Sequence, residues 1–455
     1  MSEGNQNKMG VMPVGKLLFT MALPMILSML VQAFYNVVDT FFVSQINESA
    51  VNALSLAFPI QNLQIGFATG IGVGVNSLMS KSLGEKNMDR VNRTAGNGIL
   101  LTGIITVIFV LFGIFGAGPF FRMQSHVPST VEYGTAYVTI CCIGTLGIFV
   151  EVLGEKLLQA SGRTVYTLFT QGTGAIVNII LDPILIFGWF GLPKMGVAGA
   201  ALATVIGQWV AAILAVIFNF KCNPDVKLRL RYIKPCADVI RPILTVGIPS
   251  IIMMAVGSVM NFGMNKILQS FQGYGETPVG VFGVYFKLQS FFFMPVFGLN
   301  NASISIIAYN YGARQPKRIT ATLKWAVGAV MCIMLLGTAV FQLIPDKLLG
   351  IFKASDDFLA IGISALRIIS CIFPLAAIGI ALSASFQALG NGIYSTITSL
   401  CRQLLVLLPA AWLLSLLQDV HLVWWAFPIA EVASLIVTLL LFLRIYRQKI
   451  HPMFR

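Results

Sequence analysis

From end to end the chain alternates between apolar stretches of twenty or more residues and short polar segments. Runs long enough to cross about 30 Å of hydrocarbon fall near 16–43, 51–80, 94–117, 133–157, 164–190, 196–220, 240–269, 278–308, 320–343, 358–386, 394–417 and 421–445. At about 1.5 Å of rise per residue each run predicts a membrane-crossing helix. The expectation is therefore an all-α polytopic membrane protein of twelve spans. The Leu17–Val43 run is too long for the apolar core of a signal peptide and is read as the first span.

The last six spans repeat the first six. Leu158-Gln159-Ala160-Ser161-Gly162 with Tyr166 returns 228 positions later as Phe386-Gln387-Ala388-Leu389-Gly390 with Tyr394. Phe58, Gln61, Gly70 and Gly84 meet Phe286, Gln289, Gly298 and Gly312 at the same offset, and Pro24 leads Asn36 by twelve residues as Pro249 leads Asn261. Because six is even, both copies enter the membrane in the same direction, as parallel repeats about a pseudo-two-fold axis along the membrane normal. The expected division is an N-terminal lobe over 1–220, a linker over 221–240 and a C-terminal lobe over 241–455, with a cavity at their seam.

Composition agrees with a lipid environment: 57% of residues are hydrophobic and 10% charged, against about 25% charged in soluble domains. The net charge of +13 would suit nucleic acid, but the basic residues do not gather into a groove-sized patch with exposed aromatics. Instead 22 of the 30 lysines and arginines fall in alternate connecting segments, with only Arg122, Lys194, Lys347 and Lys353 in the others. That asymmetry predicts both termini in the cytoplasm of a cell with the protein in its plasma membrane. Seven cysteines without metal or redox spacing and three scattered histidines give no metal motif. Neither H-E-x-x-H nor G-x-S-x-G is present, so an intramembrane enzyme is not expected.

Charges within the spans are the most informative residues, because a carboxylate at the bilayer centre costs roughly 2.5–3.5 kcal/mol even on lenient scales. Asp39 ends a stripe of Gln32, Tyr35 and Asn36 on span 1, and Asp182 follows Asn178 by one turn on span 5. No basic residue of the first lobe lies at that depth, so the two acids are candidates to share a proton or a cation. The second lobe has Met264 where the first has Asp39. It offers Asn261, Asn265, Asn300 and Asn301, with Lys287, Arg367, Arg402 and Glu431 as its charges. Lys287 and Glu431 are read as possible cavity wall, Glu431 alternatively as partner of a base. Met254 belongs to a group of methionines on span 7 suited to a deformable apolar wall, and Pro24 is a bend point in span 1. Glu151 and Glu155, near Lys156 and Arg163, are expected to form solvated pairs at the end of span 4.

With those residues in hand, the chain resembles the multidrug and toxic compound extrusion (MATE) family over its full length. The resemblance rests on Leu23-Pro24, Tyr35-Asn36 and Asp39, the Gly70–Gly74 stretch leading to Gly84, and Gly162. Val177-Asn178-Ile179-Ile180-Leu181-Asp182-Pro183-Ile184, Gly196-Val197-Ala198-Gly199-Ala200-Ala201 and Phe427-Pro428-Ile429-Ala430-Glu431 complete it. It is most similar to the DinF-like branch, which keeps its acids in the first lobe. The resemblance implies a V-shaped, twelve-helix exchanger that expels organic cations or amphiphilic drugs against H+ or Na+; a monomer without a cofactor is expected. It implies ion coupling at Asp39, Asp182, Asn178 and Asn36, with any Na+ held by Asp39, Asn178 and Asp182. The cavity would be lined by Tyr35, Gln32, Gln61, Asn261, Asn265, Lys287, Asn300, Met254 and Glu431, with a hinge at Pro24. A lipid-linked oligosaccharide flippase of the related superfamily is the alternative, and would need a cavity rich in basic residues.

Overall fold

The computed structural model describes residues 7–271, 274, 277–350, 352 and 356–454, without the side chains of Asn36, Thr40, Glu48 and Leu230. The candidate side chain of Asn36 and the loop residue Lys353 therefore lie outside the described residues. Among the described residues the long helices number twelve. Helices 1 to 6 are Val14–Ser44, Glu48–Gly84, Met88–Gln124, the bent pair Pro128–Ile143 and Leu146–Ala160, Val165–Phe187 and Val197–Cys222. Helices 7 to 12 are Ala237–Gln269, Thr277–Gly312, Pro316–Leu343, the bent pair Asp356–Ser370 and Phe373–Ala388, Gly392–Ser415 and Val420–Phe454. Nine are apolar and long enough to span, and the bent pairs make eleven. The twelfth, Glu48–Gly84, has 37 residues and at about 1.5 Å each is also long enough to cross. Large apolar side chains such as Phe34, Phe115, Leu336 and Leu440 stand exposed on the outer surface, an arrangement stable only against lipid.

Sequence motifs set the helix ends. Asn47 and Asn87 begin helices 2 and 3 by accepting hydrogen bonds from the backbone N–H of Ala50 and Arg90 at 2.8 and 3.0 Å, which satisfies donors that a first turn leaves free. The repeated Gln-Ala-x-Gly phrase is a helix terminator. Gly162 and Gly390 take φ of +82° and +75°, and the next N–H groups, of Arg163 and Asn391, donate to Leu158 and Phe386 at 2.7 Å in both lobes. Helices 2 and 8 end alike, with Lys86 and Arg314 at φ of +58° and +54°. Helices 4 and 10 bend by 46° and 50° at matching places in the repeat. In helix 10 Pro374 stands in the first turn of the second segment, where it has no N–H to give to the preceding turn.

The lobes exchange helix ends across the seam. Leu17, Leu18, Met21 and Met25 of helix 1 are buried in the core built mainly from helices 8 to 12. Reciprocally, Val239 and Ile243 of helix 7 are buried with Val75, Met79 and Val91 of the first lobe. Glycines make this approach possible at four equivalent places. A Cβ on Gly84 would lie 2.0 Å from the Tyr309 carbonyl oxygen, and one on Gly312 would lie 2.0 Å from that of Lys81, positions related by the 228-residue repeat. Likewise Gly70 lies on Ile251 of helix 7 and Gly298 on Ile26 of helix 1. The short helix Lys8–Val11 completes this end of the bundle: Arg318 donates to the carbonyls of Met9 and Met12 at 3.0 and 2.7 Å, and Asn310 to Met9 at 3.2 Å. The segment between the lobes is also held, with Asn92 and Asn97 of helix 3 accepting from the backbone of Lys227 and Cys236 at 2.7 and 3.0 Å.

This packing predicts the response to a single added methyl group. Gly84→Ala or Gly312→Ala should lower stability by about 1–3 kcal/mol, the range for overpacking, because backbone rather than a side-chain tip blocks the Cβ. Gly103→Ala, where nothing lies within 4 Å, should leave the melting temperature in detergent unchanged or raised. Equal melting temperatures for all three variants would show that helices 2 and 8 do not meet this closely.

Candidate functional site

Between the lobes, on the far side of the glycine seam from the short N-terminal helix, lies a cavity of about 520 Å³ lined from both lobes. Helix 1 presents Met25, Ser28, Gln32 and Tyr35, a stripe of one helical face. Helix 5 presents Thr167, Gln171, Gly174 and Asn178. Each stripe continues one turn past the cavity to an acid, Asp39 on helix 1 and Asp182 on helix 5. The acids are close enough to interact electrostatically, and Tyr35 lies within the field of both and of Glu151.

This acid pair has too few partners. Asp182 is fully buried, and its Oδ1 accepts from Asn178 Nδ2 at 3.4 Å while the same amide nitrogen reaches Thr204 Oγ1 at 3.4 Å. Among the described residues, Asp182 Oδ2, Asn178 Oδ1 and Asp39 Oδ1 are buried without a hydrogen-bond partner. Among the described residues no lysine, arginine or histidine forms an ion pair with either acid. Buried carboxylate oxygens left in this state are costly unless an added positive ion meets them. Two carboxylates and an amide oxygen form a donor set that suits a proton or a hard cation such as Na+. Among the described residues no three or more His, Cys, Asp or Glu form a metal-holding group, so a bound cation would also draw on amide oxygens.

Helix 4 supplies a second polar wall. Glu155 is 3% exposed, and its carboxylate accepts from Thr170 Oγ1 at 2.6 Å and from Gln171 Nε2 at 2.9 Å. Lys156 is buried beside it, yet its ammonium donates across the seam to Asn301 Oδ1 of helix 8 at 3.1 Å. From the second lobe, Arg402 and Glu431 meet at 3.5 Å. Arg402 and Gln403 sit in the wide-turned stretch Cys401–Leu407 of helix 11, a local expansion of the helix that is frequent where side chains serve a site. Asn300 Oδ1 is buried without a partner, and Met253 and Met254 supply the apolar wall.

The structure revises several expectations. Gln32, Tyr35, Asn178, Asn300, Met254 and Glu431 do line the cavity. Gln61 does not: it turns into the first lobe and donates to the Tyr137 hydroxyl at 2.8 Å. Asn261 and Asn265 lie one and two turns beyond Gly257, the last residue of helix 7 on the wall. Lys287 is exposed on helix 8, away from the lining. Glu151 and Glu155 are not solvated pairs. Arg163 is taken by Asp225 at 3.1 Å, and both glutamates face the cavity instead. Glu431 is at once wall and ion-pair partner. Helix 1 is continuous through Pro24, with the Ser28 hydroxyl donating to its carbonyl at 2.8 Å. Gln171, Gln208, Gln159 and Gln387 were not anticipated. For the last two the signal was present, since they are the repeated glutamine of the two terminator phrases.

Comparison with known proteins gives the same picture over the whole chain. The MatE family model matches twice, at residues 24–184 and 249–413. The multidrug export protein MepA of Staphylococcus saprophyticus is 25% identical over 421 residues, covering 92% of this chain and 91% of its own. MepA of Staphylococcus aureus strain MSSA476 is 25% identical over 443 residues, covering 94% of each. Among solved structures, an outward-facing multidrug resistance MATE family transporter of the MOP superfamily superposes with a TM-score of 0.91 at 25% identity, covering 99% of this chain and 98% of its own.

The Arg402–Glu431 contact can be tested by removing its members singly and together. Arg402→Met should destabilise by roughly 1–3 kcal/mol, because it strands a carboxylate in the cavity. The loss stays below that of a fully buried pair, since the side chains keep 30% and 13% exposure. Arg402→Met/Glu431→Leu should recover at least half of the loss in thermal denaturation. Additive losses in the two single variants would show that the groups do not interact.

Proposed function

The chain belongs to the MatE family, and from that membership we propose that it is a secondary active multidrug efflux transporter, exchanging organic cations or amphiphiles for H+ or Na+ by alternating access. The observation that carries the coupling reading is the first-lobe acid pair. Among the described residues, Asp39 and Asp182 leave buried carboxylate oxygens unpartnered one turn beyond the cavity wall. Uptake of a positive ion there changes the charge of helices 1 and 5 where their polar stripes end. Tyr35, Gln32 and Asn178 carry that change along the stripes to a bound substrate. An ion shifts the balance between inward- and outward-open states only by its differential affinity for them. The pair supplies such a difference if reorganisation of helix 1, with its bend point at Pro24, alters how far the two carboxylates are shielded. Asp39, Asn178 and Asp182 would hold Na+ or share the proton, with Asn36 on the same face.

The distribution of lysine and arginine favours both termini in the cytoplasm of a bacterial cell, in the plasma membrane. The glycine seam then seals the cytoplasmic end. One chain carries the whole cavity, which favours a monomeric working unit. An oligosaccharide flippase would need free basic groups for a pyrophosphate. Among the described lining residues the lysines and arginines are Lys156 and Arg402, both engaged, against the carboxylates of Glu151, Glu155 and Glu431. That balance favours a cationic cargo.

Efflux of a cationic dye from proteoliposomes, driven by a pH gradient alone and then by a sodium gradient alone, tests this reading and identifies the ion. Asp39→Asn and Asp182→Asn should each reduce ion-driven efflux at least about tenfold, the consequence of losing about 1.4 kcal/mol of differential ion affinity. Wild-type rates in both variants under either gradient would end the proposal.

A further inference from the structure

We propose that Glu151, Glu155, Gln159 and Gln171 form a subsite for a protonated amine, which selects cations bearing N–H groups over quaternary cations of the same size. The proposal rests on the reading of the cavity as the path of an organic cation, and it concerns residues separate from the coupling pair.

Acceptors outnumber donors on one wall of the cavity. Glu151 and Glu155 are one turn apart on helix 4, both line the cavity, and among the described residues neither forms an ion pair. Lys156, the adjacent cation, gives its hydrogen bond to Asn301 of the other lobe. Glu155 accepts one hydrogen bond at each oxygen, from Thr170 and Gln171. An ionised carboxylate has about four lone-pair positions, so half its capacity remains. The bond from Gln171 Nε2 also fixes that amide's orientation, leaving Gln171 Oε1 buried and unpartnered. Gln159 follows Glu155 by a further turn on the same face. It is only 6% exposed, lines the cavity, and its Oε1 likewise has no partner. The wall therefore offers two carboxylates and two buried carbonyl oxygens, and the Thr170 hydroxyl and one N–H of Gln171 are spent on Glu155.

The complement of such a surface is a group with positive charge and several N–H bonds. A primary or secondary ammonium supplies two or three donors and neutralises a carboxylate through short, charge-assisted bonds. A trimethylammonium group brings the same charge but no donor, so the amide oxygens and one carboxylate stay unpaired. A site built to hydrogen-bond a ligand rejects an analogue without the donor far more strongly than an apolar pocket rejects a missing methylene.

Purified full-length protein in lipid nanodiscs, without any ion gradient, tests this by fluorescence titration with dansylcadaverine and with its N,N,N-trimethyl analogue. The primary amine is protonated near neutral pH, as a lysine side chain is, so both probes carry one charge. The wild type should bind the primary ammonium at least about tenfold tighter, the scale of one charge-assisted hydrogen bond. Glu151→Gln/Glu155→Gln should bring the ratio near one. Gln159→Leu, which removes an acceptor and no charge, should weaken the primary ammonium at least about threefold and leave the trimethyl probe unchanged. If the double variant does not fold, Gln159→Leu decides alone. A wild-type ratio near one, or a ratio untouched by these variants, overturns the proposal. Because binding is read without a gradient, failure of ion-driven efflux would count against the coupling scheme and not against this subsite.

Discussion

The structure depends on how closely helix 2 and helix 8 approach at Gly84 and Gly312. Each glycine lies against the other helix's backbone so tightly that a methyl group would reach within 2.0 Å of a carbonyl oxygen. In a bilayer no hydrophobic driving force favours one helix over lipid, so association relies on backbone proximity and packing, which small residues permit. The contact is made twice, by residues 228 positions apart, so each lobe presents to the other the surface it receives. With one end closed in this way, the two lobes can stand apart elsewhere and leave a polar cavity between them without losing their union.

The exchange of helix ends extends the same logic. The start of helix 1 is core to the second lobe and the start of helix 7 is core to the first. A helix rooted in one lobe whose far end carries Asp39 in the other is well placed to couple the lobes. Its polar stripe runs from Ser28 at the cavity to the acid beyond Tyr35. Any rearrangement around Asp39 is therefore felt by a helix that both lobes hold.

Much of this was legible in the sequence, for identifiable reasons. Span number follows from hydrocarbon thickness, and the duplication follows from the repeated terminator phrase, whose glycines must adopt positive φ to end helices 4 and 10. Asp39 and Asp182 stood out because uncompensated carboxylates in apolar runs are rare. Side-chain direction was less legible. Helical spacing put Asn261 and Asn265 on the same face as Gly257, yet it does not say where along that face the cavity stops. Gln61 shares its repeat position with Gln289, but the Tyr137 hydroxyl on another helix turns it inward, a tertiary choice with no local mark. Closeness in sequence does not name the hydrogen-bond partners of Glu151, Glu155, Lys156 and Arg163. Arg163 instead finds Asp225, 62 residues away, and Lys156 finds Asn301, 145 away.

These long-range partners decide how the cavity keeps its charges. Had Glu155 paired with Lys156, both would have been neutralised within one lobe and would have offered nothing to a ligand. The helix 4 wall carries two carboxylates, Glu151 and Glu155, to the one ammonium of Lys156, and the bond of that lysine to Asn301 joins helix 4 to helix 8. The second lobe does the opposite and closes Arg402 on Glu431 within itself. Two copies of one ancestral bundle have thus come to hold unlike electrostatics around a shared space, one wall deficient in cations and the other self-compensated. A cation entering such a space is drawn to one side of it, toward helices 1, 4 and 5, and it is on helices 1 and 5 that the acids without an ion-pair partner among the described residues stand.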